Sequence, residues 1–316
     1  SNFAFAYGAL TTSLGILIAA RLFDGVTGGS TSIAQAVAAD ISTPKDRAKN
    51  FGLIGASLGL GFMIGPLLGG VLSDPTTVSW FGAPFAFAFA GTLSLMNVLF
   101  LYIFLPETSP LDKSVAVRPL RSIRNVGRAF QNVSTRSIYS LSFVYSFGFT
   151  LFTSFLGVYL VEQLSYTQRE IGFFFFYLGM LLVPFQMVLV PYVDRNFGSV
   201  KTLLVSFVGV GIALALVAFT THTVELLLVT ILFSASNAVA RTTVTTVISK
   251  KAEETSQGAA LGVNASVQSM GQILPALVAG FVAASLGTAA PILLAAGSFL
   301  FGAVLILFYR THLSTH

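Results

Sequence analysis

The chain has 316 residues, of which 54% are hydrophobic and only 9% are charged. A soluble domain carries charge on about a quarter of its residues, so a water-exposed globular fold is excluded and a membrane protein is predicted. Cysteine is absent and the three histidines, His222, His312 and His316, lie in a short loop and at the C-terminal end. We therefore predict no enzyme activity, no catalytic residue, no metal site and no cofactor.

Apolar stretches long enough to cross about 30 Å of hydrocarbon recur along nearly the whole chain. Residues 1–10 are interpreted as the tail of a span, and nine full spans are predicted at 13–41, 50–72, 81–105, 137–161, 170–193, 201–220, 224–249, 258–284 and 287–309. The predicted fold class is an all-α transmembrane helical bundle. No signal peptide is predicted before the first apolar run.

Basic residues mark one side of the predicted membrane. Every second connection holds most of the 17 lysines and arginines, namely Lys45, Arg47, Lys49, Lys113, Arg118, Arg121, Arg124, Arg128, Arg136, Arg195, Lys201, Lys250, Lys251 and Arg310. The Lys/Arg-rich side of a membrane protein is cytoplasmic. The net charge of +5 thus reflects sidedness rather than nucleic-acid binding, and we predict a multi-pass protein of the plasma or inner membrane.

A polar stripe is predicted along the first full span. Arg21, Asp24, Thr31 and Gln35 recur at helical spacing, so all four share one face. Polar groups that face lipid are costly, so this face should line either a water-filled cavity or a latch between helices. Both interpretations remain open from the residues alone.

The second span carries glycines at every fourth position. Gly61, Gly65 and Gly69 leave a smooth groove that would admit a close helix neighbour, and Pro66 removes one backbone hydrogen-bond donor. Such a helix suits a surface that moves between two states, although the pattern is equally typical of tight static packing. Capping boxes are predicted at Thr43–Asp46 and at Thr167–Glu170.

The longest connection, about 106–136, divides the chain into three spans before and six after. We predict an incomplete N-terminal helical bundle at 1–105, a cytoplasmic central loop at 106–136 and a C-terminal six-helix bundle at 137–316. Glycines and a proline recur at an offset of 210 residues across this loop, namely Gly52, Gly61, Gly70 and Pro66 against Gly262, Gly271, Gly280 and Pro275. Parallel six-helix repeats of this kind are found in one large class of transporters.

Later spans also carry polar residues at helical spacing. They are Ser142, Ser146, Thr150 and Thr153 in the fourth, Ser234, Asn237, Arg241 and Thr245 in the seventh, and Asn264, Gln268 and Gln272 in the eighth. Several spans with polar faces indicate an aqueous path through the bundle, which is typical of transport proteins.

Several segments together resemble a known family. They are 21–29 with Ala39-Asp40, Arg47–Gly52, Gly65–Gly70, Pro106–Thr108 and Val190–Gly198. They resemble the tetracycline-efflux-like drug:proton antiporters of the major facilitator superfamily, in which the first stretch belongs to the fourth helix and the Gly-Pro segment is the antiporter motif of the fifth. The resemblance implies helices four to twelve of a twelve-helix pattern, with three helices missing at the N-terminus.

By this resemblance the chain exports a small amphipathic compound or drug by alternating access, driven by protons. It implies gating roles for Asp40, Gly65, Pro66, Gly69, Gly70, Asp194 and Arg195. The last motif departs from the family pattern, with Val190 in place of glycine and an extra residue before Gly198.

For the substrate and proton pathway we predict Arg21, Asp24, Thr31, Gln35, Asn237, Arg241 and Gln268, with Asp24 as the proton carrier. The expected partners are a small-molecule substrate, protons and the lipid bilayer, with a monomer as the working unit. Two alternatives stay open. One is a facilitator of the same fold for sugars or metabolites, and the other is a truncated remnant or subunit that does not transport.

Overall fold

The computed structural model describes residues 1–27, 47–105, 133–251 and 257–310, together with residues 33, 34, 37, 42 and 127. All regular secondary structure in these residues is helical, which confirms the predicted fold class. The helices are α1 Asn2–Leu10, α2 Leu14–Thr27, α3 Arg47–Ser73, α4 Ala83–Phe104, α5 Val133–Leu164, α6 Gln168–Pro184, α7 Val190–Asn196, α8 Ser199–Val217, α9 Thr223–Lys251, α10 Gln257–Leu286 and α11 Ala290–Phe308.

Seven segments within the described residues are long and apolar enough to cross a membrane. They are Ala83–Phe104, Thr135–Leu164, Gln168–Val193, Ser199–Val217, Thr223–Ile248, Gly262–Leu286 and Ala290–Phe308. Each corresponds to one of the nine predicted spans. Of the other two, the first is described as helical over Leu14–Thr27, and the second contains the shorter apolar helix Gly59–Ser73.

The chain forms two compact units. The first comprises Ser1–Ala116 with Tyr166–Gly179, and the second comprises Val117–Ser165 with Met180–His316. The boundary therefore passes through α6 after Gly179, so that part of this helix groups with the earlier residues. The predicted division at the central connection, 106–136, lies almost wholly outside the described residues and stays a prediction.

In the first unit, α1 packs on both α2 and α4, and aromatic side chains make its contact with α4. The rings of Phe5 and Phe87 are stacked with their centroids 5.3 Å apart. The ring of Phe3 fills the place of a missing side chain at Gly91, where a Cβ atom would lie 2.9 Å from it. A larger residue at Gly91 would therefore have to displace the Phe3 ring.

In the second unit, α8 packs against α9 and α11, and α5 packs against α10 and α11. Their contact faces bury large apolar side chains such as Phe152, Phe207 and Phe299. The Tyr159 hydroxyl donates to the backbone oxygen of Val217 at 2.7 Å, which satisfies a carbonyl at the end of α8. The fourth span is thereby anchored at its C-terminal half.

The predicted capping box at the start of α6 is confirmed. The Glu170 carboxylate accepts from the Thr167 backbone N–H at 2.7 Å, and the Thr167 hydroxyl accepts from the Glu170 backbone N–H at 3.3 Å. The other predicted capping box, Thr43–Asp46, lies outside the described residues. Further along, a π-helical stretch, Phe185–Leu189, joins α6 to α7. Interruptions of this type are frequent at functional sites.

Candidate functional site

The charged residues of the first predicted stripe form an ion pair within the first unit. The Arg21 guanidinium lies 3.9 Å from the Asp24 carboxylate, and their side chains are 79% and 46% exposed. The Ser1 hydroxyl donates to the same carboxylate at 2.9 Å. Two opposite charges one turn apart on an apolar helix reduce the cost of burying either of them in a membrane.

Several other predicted site residues cannot be placed. Thr31, Gln35 and Asp40 lie outside the described residues, as does the side chain of Asp194. Arg195 is exposed at the end of α7. The segment around Arg195, predicted as a loop, is helical as far as Asn196, because the helix continues past the π-helical stretch. Only Phe197 and Gly198 separate α7 from α8.

Asn237 lies at a buried polar contact between α5 and α9 of the second unit. The Tyr145 hydroxyl donates to the side-chain oxygen of Asn237 at 2.8 Å, and the two side chains are 5% and 2% exposed. Arg241, one turn further along α9, is exposed. Of the predicted residues Asn237 and Arg241, the first is therefore buried in this contact and the second is not.

A second polar contact lies beside the first and joins α5 to α10. The Ser142 hydroxyl donates to the side-chain oxygen of Asn264, and both side chains are buried. One helical turn before Ser142 and Asn264, the Tyr139 hydroxyl donates to the Ala260 backbone oxygen at 3.2 Å. Gln268, predicted in the pathway, is half-buried one turn after Asn264. Helix α5 therefore carries polar contacts to both α9 and α10.

Ser234 adds a polar group that is not paired with its described neighbours. Its hydroxyl is fully buried and has no hydrogen-bond partner among the residues the structure describes. Burying a hydroxyl without a partner costs about 1–3 kcal/mol. Ser234 lies one turn before Asn237 on α9, on the face that the sequence predicted to be polar.

The glycines of α3 differ in how closely the chain approaches them. No described atom lies within 4 Å of a Cβ built on Gly61, Gly65 or Gly69. At Gly70, by contrast, a Cβ would lie 2.5 Å from the Gln168 backbone oxygen on α6. Among the described residues of the first unit, the close contact of α3 is therefore at Gly70, and a helix neighbour for the groove of Gly61, Gly65 and Gly69 stays a prediction.

The facing positions on α6 are glycines as well. A Cβ at Gly172 would lie 2.8 Å from the Pro66 backbone oxygen, and one at Gly179 would lie 2.6 Å from the Cβ of Met63. Because Gly172 and Gly179 are seven residues apart, the same face of α6 follows α3 for two turns. Pro66 and Gly70, both predicted gating residues, thus lie at a backbone-to-backbone helix contact.

A buried carboxylate closes the end of α3. Asp74 accepts from the Thr76 hydroxyl at 2.7 Å and from the Thr76 backbone N–H at 2.8 Å. These hydrogen bonds, the hydroxyl first, together with the positive charge of Arg169, hold the pKa of Asp74 below its usual 3.8. Asp74 is therefore an anion at neutral pH and fixes the turn that follows α3.

Tyr145 is the site residue that sequence reasoning missed. It lies in an aromatic stretch, where a tyrosine cannot be distinguished by pattern from a ring that faces lipid or fills the core. The one available signal was its position three residues after Ser142, on the predicted polar face of the fourth span.

Membrane-length helices joined by buried polar contacts, with Arg241 exposed inside one of them, define an integral membrane protein of transporter type. The family model described as Major Facilitator Superfamily matches residues 2–159 and 138–315. The chain belongs to this superfamily.

The relatives include proteins named for drug resistance. The chain is 26% identical over 287 residues to Tetracycline resistance protein, class H, of Pasteurella multocida, which covers 87% of the chain and 67% of that protein. It is 26% identical over 320 residues to Quinolone resistance protein NorA of Staphylococcus aureus, covering 99% of the chain and 77% of that protein. The resemblance to drug-efflux proteins of the superfamily is confirmed.

A solved structure, that of the human organic anion transporter MFSD10 (TETRAN), superimposes with a TM-score of 0.66. The sequence identity is 25%, and the match covers 96% of this chain and 74% of that one. The bovine Major facilitator superfamily domain-containing protein 10 is 28% identical over 203 residues, 58% of this chain but only 42% of the bovine protein. The chain thus spans part of the length of the relatives that it matches.

Proposed function

We propose that the chain exports a small amphipathic compound across its membrane by alternating access and that inward proton flow drives the export. The observation that carries this proposal is the ion pair of Arg21 and Asp24, both partly exposed on an apolar helix. Ionisable residues in membrane helices mark substrate paths or proton relays. The names of the tetracycline and quinolone resistance relatives support export of such compounds.

Asp24 is the proton carrier in this proposal. A carboxylate beside an arginine changes its proton affinity when the distance between the two groups changes. The pair has the loose separation of 3.9 Å, and the carboxylate also accepts from Ser1. In the proposal, a conformational change that alters the distance between Asp24 and Arg21 accompanies each step of proton transfer.

A second candidate substrate class is the organic anion. Arg241 is exposed beside the buried Tyr145–Asn237 contact, and one structural relative is named an organic anion transporter. A guanidinium inside a span would attract a carboxylate or sulfonate more strongly than a neutral compound. Replacing Arg241 with glutamine should then weaken competition by anionic compounds and leave competition by neutral ones unchanged.

Gating is proposed for the residues at the helix contacts and helix ends. Pro66 and Gly70 lie where α3 touches α6, and Gly65 and Gly69 directly precede them in the sequence. Asp40, Asp194 and Arg195 lie close to connections that the distribution of basic residues predicts to be cytoplasmic. In the proposal these contacts open and close in alternation, and a single chain is the working unit.

The test uses inside-out membrane vesicles with tetracycline as the fluorescent probe. With an acid interior, the wild type should accumulate the probe, because protons leave as the compound enters. Asp24→Asn should lose accumulation driven by the pH gradient but retain exchange of internal for external probe. Glu162→Gln is the matched control, since Glu162 is exposed near the end of α5, and it should behave as the wild type.

The two parts of the proposal fail in different ways. Undiminished pH-driven accumulation by Asp24→Asn would remove Asp24 from proton coupling and leave export standing. A wild-type chain that is well folded in the vesicles but neither accumulates nor exchanges tetracycline, norfloxacin or an anionic dye would refute drug export. Transport of a sugar or metabolite under the same conditions would favour the facilitator alternative.

A further inference from the structure

The second unit contains a cavity of about 290 Å³ on the flank of its helices. Leu189, Val193 and Phe197 form one wall along α7 and the residues that flank it, α8 forms the floor through Thr202 and Ser206, and α9 closes the far side. This cavity is separate from the Tyr145–Asn237 contact, none of whose residues lines it. The proposed export function does not use it.

The cavity opens toward the surroundings of the helices at membrane depth. Val205, which lines it, is 71% exposed and lies within the membrane-spanning helix α8. Phe197, at the start of the connection to α8, is 49% exposed. Since the helix is flanked by hydrocarbon at this depth, the occupant that reaches the opening first is a lipid chain.

The interior of the cavity offers an apolar surface to its occupant. The Thr202 hydroxyl donates to the Phe197 backbone oxygen at 2.8 Å, and the Ser206 hydroxyl donates to the Leu203 backbone oxygen at 3.0 Å. The Ser236 hydroxyl is directed at Gly209 of α8. The hydroxyl groups near the cavity are thus turned into the protein, so the lining favours hydrocarbon over a polar solute.

The length and charge of the cavity fit a lipid that has an acidic headgroup. From Leu189 to Phe197 the wall extends about 12 Å along a helix, enough for the upper part of an acyl chain. Lys201 lines the cavity close to the start of α8. No carboxylate lines the cavity among the described residues, so the charge of the lining is the positive charge of Lys201.

We propose that the cavity binds one acyl chain of an anionic phospholipid from the Lys/Arg-rich leaflet, with the Lys201 ammonium on the headgroup phosphate. A lysine stem covers apolar surface while its ammonium group reaches the membrane interface. Basic residues at that interface attract acidic lipids of the cytoplasmic leaflet. The occupant is a structural lipid and not the transported compound.

The experiment is native mass spectrometry of the full chain purified in detergent and titrated with phosphatidylglycerol or phosphatidylcholine. The wild type should retain phosphatidylglycerol about fivefold more strongly, which corresponds to one basic contact at a membrane surface. Lys201→Gln should reduce that preference to parity. Arg310→Gln, which removes a basic residue beyond α11, is the matched control and should leave the preference unchanged.

A second pair of variants tests the acyl-chain part. Val205→Trp should block the opening and lower retention of both lipids, whereas Ile212→Trp, at an exposed position on the same helix outside the cavity, should lower neither. Equal retention of both lipids by the wild type would overturn the headgroup contact. Displacement of phosphatidylglycerol by tetracycline in the wild type but not in Val205→Trp would overturn the lipid assignment, because the cavity would then be a substrate site.

Discussion

The contact between α3 and α6 makes a sharp prediction, because two adjacent glycines of α3 face different surroundings. Gly70 is buried, and a Cβ there would lie 2.5 Å from the Gln168 backbone oxygen and 2.9 Å from the Cα of Gly172. Both neighbours are backbone atoms, which cannot rotate away as a side chain can. At Gly69 no described atom lies within 4 Å of the added carbon. We therefore expect Gly70→Ala to destabilise the protein and Gly69→Ala not to.

The expected change in the free energy of unfolding follows from two opposing contributions. Alanine is favoured over glycine in a helix interior by about 1 kcal/mol, and this gain is common to both variants. Forcing an extra carbon into a packed contact costs about 1–3 kcal/mol, and this cost applies to Gly70 alone. The difference between the two variants isolates the contact, so Gly70→Ala should be about 1–3 kcal/mol less stable than Gly69→Ala.

The assay is reversible unfolding in detergent, followed by helical circular dichroism, on Gly69→Ala, Gly70→Ala, Gly172→Ala and the Gly70/Gly172 double variant. Gly172→Ala should reproduce the loss from the other side, since its Cβ would lie 2.8 Å from the Pro66 backbone oxygen. The double variant should lose less than the sum of the single losses, because one displacement of the helices relieves both contacts. Equal stability of Gly70→Ala and Gly69→Ala would refute the close approach of α3 and α6.

Three other measurements test separate parts of the structure. Tyr145→Phe leaves the buried side-chain oxygen of Asn237 without its donor and should lower the free energy of unfolding by about 1–3 kcal/mol in the same assay. Tyr102→Phe, at an exposed position, should not change the free energy of unfolding. Equal losses in the two variants would contradict the buried contact. The pKa of Asp74 is lowered in the folded state, so its contribution to stability is present above its usual pKa of 3.8 and is lost as the pH falls through the lowered value. Asp74→Asn should therefore flatten the fall in melting temperature at acid pH. An unchanged dependence of the melting temperature on pH would exclude this role. Because the chain has no cysteine, a single introduced cysteine reports the side of the membrane on which it lies. In intact cells a membrane-impermeant maleimide should label Thr221→Cys directly and Lys113→Cys only after permeabilisation. The reverse pattern would contradict the predicted sidedness.

The features that sequence reasoning predicted are those set by local spacing. The Thr167–Glu170 capping box is confirmed because its two partners lie within one helical turn. The polar face of α9 was predicted through Asn237, but its partner Tyr145 lies 92 residues away, and spacing along one helix carries no information about which residue of another helix will meet it. The fold class could be predicted for the same reason, because the length of an apolar stretch is a property of each span by itself.

The glycines of α3 show what spacing alone does not determine. A repeat of every fourth glycine, here Gly61, Gly65 and Gly69, identifies a face of the helix but not the neighbour that it meets. Which face meets a neighbour depends on where α6 lies, and it lies against Gly70. The π-helical stretch at Phe185–Leu189 was not predicted either. Its flanking prolines, Pro184 and Pro191, indicate an irregular helix but do not distinguish a π turn from a kink.

One pair of helices begins at nearly the same offset as that seen among the glycines. Helices α2 and α9 begin 209 residues apart, at Leu14 and Thr223. Equivalent glycines nevertheless differ in their contacts. A Cβ at Gly271 would lie 2.9 Å from the Phe143 backbone oxygen, whereas the described surroundings of Gly61, its counterpart, are open. Equivalent glycines of the two repeats therefore differ in their described neighbours.

The same offset relates the two polar stripes. Asp24 corresponds to Ser234 and Thr31 corresponds to Arg241, so both repeats carry polar groups at the same places along the helix. The chemistry at those places differs, because a serine hydroxyl does not exchange a proton at neutral pH whereas a carboxylate can. An acid is therefore present at this position only in the first repeat, while the second holds the buried hydroxyl of Ser234. This asymmetry is the reason to expect a loss of proton-driven transport in Asp24→Asn and none in Ser234→Ala.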